Sequence, residues 1–193
     1  MYDLDMSLQP NASRPSQTDG ISGNAAASRD VLREIEDRVL WLSTAIVDYA
    51  NRVRPNPSGL KVGGHQASSA SIATIMTALW MHALRAEDRV SVKPHASPVL
   101  HAIEYLLGQL DESYLRTLRE FGGLQSYPSR LKDPVPADYS TGSVGIGATA
   151  PIWGALARRY VDSHFGGAGT GWGVSRILDR ASVVSHAAVA AVR

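Results

Sequence analysis

From Asp30 onward apolar residues recur at Leu32, Ile35, Val39, Leu42, Ile46, Tyr49 and Val53, in alternating steps of three and four. That period predicts a long helix with one apolar stripe, Asp30 serving as its N-cap. Such a stripe must be buried against other elements, so the chain has to build a packed core around it. With 193 residues it can build one domain of useful size and not several. Residues 1–28, rich in Ser, Asn, Asp, Gly and Pro with no apolar period, read as a disordered leader. At the other end of the helix Pro55, Pro57 and Gly59 stop it.

Bulk properties exclude more than they identify. Lys plus Arg (19) nearly cancel Asp plus Glu (18), so no electrostatic footprint argues for nucleic acid or an anionic membrane surface. The absence of cysteine removes disulfides, thiolate zinc sites and thiol catalysis together. The opening MYDLDMSLQP is acidic and polar where a secretory signal is basic and then apolar, and no apolar run reaches the ~20 residues that cross a bilayer. A cytoplasmic protein with no membrane partner is the expectation.

After the first helix, KVGGHQ (61–66) reads as a loop feeding a second helix with Ile72, Ile75, Met76, Leu79, Trp80 and Ala83 on one face. RVSVK (89–93) alternates as a short strand does. Ser97 as N-cap, Pro98 at the first helical position, an apolar run and Gly108 as terminator define the clearest helix. A short helix is expected from Asp111 to Phe121, followed by a Pro- and Gly-rich connection from Gly122 to Asp138. STGSVGIGA (140–148) opens a last helix to about Tyr160. GGAGTGWG then breaks all regularity, and the rest of 166–193 forms an atypical tail.

Two histidines precede helix starts. His65 lies between a Gly-Gly turn and a Ser-rich helix opening, where helix-terminal N–H groups favour anions. On local sequence alone the plainer reading, a histidine that bonds a turn, is favoured. His95 repeats the arrangement ahead of the Ser97-Pro98 cap, and a neutral imidazole at such a place can donate to an anion or exchange a proton near neutral pH. His82 and His101 receive the bland reading of surface or packed residues. Glycines at 142, 145 and 147 do not make the dinucleotide fingerprint, but they would let backbone groups touch a flat heterocycle.

In order, GGHQASSASIATIMTALWMHALR, DRVSVKPHASPVLHAIEYLLGQL, REFGGLQSYPSRL and DYSTGSVGIGATAPIWGALARRY resemble the transketolase superfamily, in particular the single-chain type of pyruvate dehydrogenase E1. The resemblance implies an α/β fold, a three-layer thiamine-diphosphate-binding domain over 29–165, incomplete and mainly helical in the residues present. It implies an N-terminal fragment of an enzyme that cleaves a carbon–carbon bond next to a carbonyl in a 2-oxo acid or keto sugar, with thiamine diphosphate and Mg2+ as cofactors. Carried over by motif, His65 and His95 are catalytic, and His95, Gly142, Ser143 and Val144 touch the cofactor. The family's Gly-Asp-Gly and Asn metal ligands have no counterpart, so no metal ligand is assigned. Ser129 stands after Tyr127-Pro128 where the family often has a further histidine. The resemblance also implies a homo-oligomer or a complementary chain. The alternative is a non-catalytic remnant or assembly piece that pairs with a separate chain, and a third reading is a small helical interaction module.

Overall fold

A computed structural model describes residues 25–84, 88–143 and 145–165. The expected leader before Ala25 and the expected tail from Gly166 lie outside the described residues, as does Val144.

Helix α1 runs Ala25–Asp48, starting ahead of the expected cap at Asp30. Its stripe is buried as the period requires: Val39 and Ile46 are in the core, and Ile35 and Leu42 pack against it. The stripe fails at its end. Tyr49–Val53 is a π-helical turn, which adds a residue to the turn and rotates everything after it. Val53 therefore points to solvent, while Ala50 is buried.

The second predicted helix is broken into α2 (Gln66–Ala70) and α3 (Ala73–Ala78), the latter continued by a π turn at Leu79–Ala83. The 3-10 turn Pro94–Ala96 leads into α4 (Ser97–Leu106), the most deeply buried helix, and Gly108 ends it at φ +71. A left-handed residue after a helix accepts glycine at little steric cost, as the sequence indicated. Helices α1, α3 and α4 enclose one core cluster around Val39, Ile72, Met76, Val99 and Ile103. A second cluster, around Ile46, Val47, Leu110, Leu118 and Leu124, lies beneath the loops.

The described residues are mainly helical, as expected, and no α/β layering is seen among them, since none forms a strand. Two local expectations need correction. Arg89–Lys93 is extended and buried, with Val90 and Val92 in the core. No sheet partner lies beside it among the described residues, and the Val90 N–H instead donates to Asp138 Oδ2 at 2.8 Å. The helix expected over 111–121 shrinks to the 3-10 turn Glu112–Arg116, capped by Asp111, which accepts from the Ser113 N–H. It cannot continue, because Arg119 turns to φ +62 and its N–H donates to Leu124 O. The last helix, α5, spans Ile146–Phe165.

Candidate functional site

Three aromatic rings from three loops converge. The His65 and His95 rings lie 4.1 Å apart between centroids, and His95 lies 5.3 Å from the Tyr127 ring. His65 and Tyr127 are exposed and His95 is half-buried, so the cluster opens to solvent. The glycine loop joins it through Tyr127, whose Cβ lies 4.0 Å from where a side chain on Gly142 would begin. Gly142 and Ser143 are exposed. The structure thus gathers every described residue singled out from the sequence except Ser143, for which no contact to the cluster is seen.

The His65 loop is held by residues that sequence reasoning passed over. Asn51, turned inward by the π-helical turn, pairs both ways with Gly63. Its Nδ2 donates to Gly63 O at 2.6 Å and its Oδ1 accepts the Gly63 N–H at 2.9 Å. Gly63 and Gly64 both have positive φ, +92 and +105, and a Cβ on Gly64 would sit 2.9 Å from Val47 Cγ1. Only glycine suits both the backbone and the space. Arg119 clamps this loop to the Tyr127 loop: its guanidinium donates to Val62 O at 2.6 Å and, through Nε, to Ser126 Oγ.

The loop carrying Tyr127 is fixed from below by α4. Ser97 Oγ donates to Gln125 O at 2.8 Å, and Asp133 accepts the N–H groups of Gln125 (2.9 Å) and Ser129 (2.7 Å). His101 is fully buried between two carboxylates, with Nδ1 3.3 Å from Glu104 Oε2 and Nε2 3.5 Å from Asp133 Oδ1 and 3.1 Å from Gln125 O. Burial alone would push the His101 pKa down, but the hydrogen bond and charge of Glu104, with Asp133 behind them, raise it above 6.5. Burial also raises Glu104 above the usual carboxylate range, against the pull of His101. Of the packed and surface readings left open for His101, the structure gives the packed one, with a carboxylate partnership that an i, i+3 His–Glu spacing could have signalled.

Around the glycine loop two hydroxyls are completely buried, Thr141 and Ser91, and neither Oγ meets a hydrogen-bond partner among the described residues. Both residues adjoin Gly147 in the first turn of α5, whose would-be Cβ lies 3.3 Å from Ser91 Oγ and 3.2 Å from the Thr141 methyl carbon Cγ2. Among the described residues no three His, Asp or Glu side chains come together as a metal site.

No protein-family model matches the chain. Curated relatives do. The chain is 31% identical over 145 residues to the pyruvate dehydrogenase E1 component of Cupriavidus necator, covering 70% of this chain and 16% of that protein. It is 31% identical to that of Mycolicibacterium smegmatis over 68% of this chain and 30% identical to that of Escherichia coli K12 over 67%, in each case spanning 15% of the relative. The resemblance to pyruvate dehydrogenase E1 drawn from the ordered motifs therefore holds over about two thirds of the chain, which spans only about 15% of the length of these relatives.

Proposed function

We propose that this chain, similar as it is to pyruvate dehydrogenase E1 components, is an amino-terminal portion of a thiamine-diphosphate enzyme acting on a 2-oxo acid or keto sugar, with His65 and His95 facing the reacting centre. The observation that carries this reading is the meeting of His65, His95 and Tyr127 beside Gly142. These residues are far apart in sequence, and only the tertiary structure brings them together.

The residues present fit one part of the cofactor. An open glycine loop beside an aromatic ring suits the approach of a flat heterocycle, and the unsatisfied Thr141 and Ser91 hydroxyls are the kind of buried polar atoms that a bound molecule satisfies. The metal that anchors the diphosphate has no ligand set among the described residues. When bound, thiamine diphosphate supplies the electron sink for cleavage next to a carbonyl. This chain's own share is to present two imidazoles to the substrate. Exposed His65 can take or give a proton at the reacting oxygen, and His95, held between His65 and Tyr127, donates to it or to an anionic group.

Titrating the chain with thiamine diphosphate while following the imidazole C–H resonances tests this reading. Shifts at His65 and His95 with His82 unmoved are expected. Equal shifts at all histidines, or none, would refute it.

A second reading, an assembly piece that pairs with a separate chain, is favoured by α5. Its Ile152, Trp153, Leu156, Tyr160 and Phe165 are all exposed on a helix that touches the rest chiefly through Gly147, Pro151 and Gly154. An apolar surface of that kind marks an interaction site.

A further inference from the structure

Lys93 is buried, yet its ammonium meets only a hydroxyl and a carbonyl: Nζ lies 3.2 Å from Ser71 Oγ and 3.5 Å from Ser68 O. No carboxylate partners it among the described residues. A buried cation without a counter-charge is costly, and an anion arriving beside it would offset that cost. Burial lowers the Lys93 pKa, and no neighbouring carboxylate pulls it back.

The surroundings of Lys93 belong to the site. Its carbonyl accepts the Ala96 N–H and so closes the 3-10 turn that carries His95. Its ammonium lies on α2, the helix that begins directly after His65. On that helix the Oγ atoms of Ser68 and Ser69 are buried and meet no hydrogen-bond partner among the described residues, and Ser69 is fully buried. Two residues before Lys93, the equally unsatisfied Ser91 hydroxyl reaches the first turn of α5 beside Thr141. Lys93 thus joins α2 to the His95 turn, while Ser91, two residues earlier, lies beside the first turn of α5.

We propose that Lys93 is the anion-recognising residue of this site and pairs with the carboxylate of a 2-oxo acid, with the Ser68 and Ser69 hydroxyls completing its hydrogen bonds. The inference rests on reading the His65–His95–Tyr127 cluster as a substrate site. A carboxylate at Lys93 sets the adjoining carbonyl of a short 2-oxo acid toward the imidazoles, and a neutral keto compound lacks that anchor.

The full 193-residue chain, labelled with 13C at the lysine ε-carbon, is titrated with pyruvate, with its neutral methyl ester and with inorganic phosphate. Substitution of Lys93 assigns its signal. Pyruvate is expected to shift Lys93 and His95, the ester to shift neither, and phosphate to bind more weakly than pyruvate. Lys93→Met, which exchanges the buried charge for an apolar chain of similar length, should stay folded by circular dichroism and weaken pyruvate binding at least about tenfold. Lys61→Gln, at an exposed lysine, should leave it unchanged. Pyruvate binding of equal strength in folded Lys93→Met, no pyruvate binding by the unaltered chain, or tighter binding of phosphate would each overturn the proposal. Thiamine diphosphate added to Lys93→Met separates the two ideas. Shifts at His65 and His95 there would keep the cofactor reading standing even if the carboxylate arm had failed.

Discussion

Gly64 stands where α1 leaves no room for a side chain, at φ +105 with Val47 Cγ1 2.9 Å from any added Cβ. Gly64→Ala should therefore cost about 1–3 kcal/mol through backbone strain and contact together. Asn51→Ala removes both part-buried hydrogen bonds to Gly63, a loss of about 1–2 kcal/mol. Thermal melts check the size, and loss of the nuclear Overhauser contacts between the His65 and His95 rings checks that the loop has moved. The buried triad of His101, Glu104 and Asp133 sets a pH dependence. All three pKa values are raised on folding, Asp133 because burial outweighs the His101 charge and its N–H donors. At these groups the folded state binds more protons than the unfolded one, so their contribution to stability is fullest at acid pH and is lost as pH rises. The loss should begin as pH climbs past the ordinary carboxylate range of ~4 and continue above ~6.5, the unperturbed histidine value. Glu104→Gln should flatten the curve of unfolding free energy against pH. An unchanged slope in that variant would mean that Glu104 takes no part.

At the scale of elements, α4 and α5 obey different rules. α4 is apolar enough to be buried on nearly every side, and Pro98 and Gly108 mark its limits in sequence and in space. Ala96 is its N-cap in place of Ser97, whose hydroxyl donates to Gln125 O instead. α5 has as regular a helix but keeps Trp153, Leu156 and Tyr160 in solvent. Replacing Leu156 by Gln or Trp153 by Gln should change stability by no more than about 0.5 kcal/mol, since neither side chain is packed, and should reduce self-association seen by light scattering. A melting temperature lower by many degrees would show that these residues are covered in solution.

At the scale of the molecule, the chain spans about 15% of relatives named pyruvate dehydrogenase E1 component and assembles no metal-ligand group among its described residues. Purified alone it should not release carbon dioxide from pyruvate when thiamine diphosphate and Mg2+ are supplied. Turnover that is abolished by a chelator would place a metal site within these 193 residues. Helices α1, α3 and α4 pack around a shared core, so loop placement and core packing should be lost together on heating.

The apolar period of α1, the proline and glycine limits of α4, and the order of the histidine and glycine motifs were all legible in the amino-acid sequence. Each is a local pattern, set by helix geometry or by the backbone freedom of one residue type. The sequence also marked His65, His95 and Gly142 as candidates, although nothing local could bring them together. Tertiary structure alone decided that Tyr127 bridges them, that Arg119 ties two loops by its guanidinium, and that Lys93 is buried without a carboxylate. It also decided against a strand at Arg89–Lys93: alternation describes a face to be buried, but a strand exists only when a second one offers its backbone groups, and here Asp138 supplies an acceptor instead.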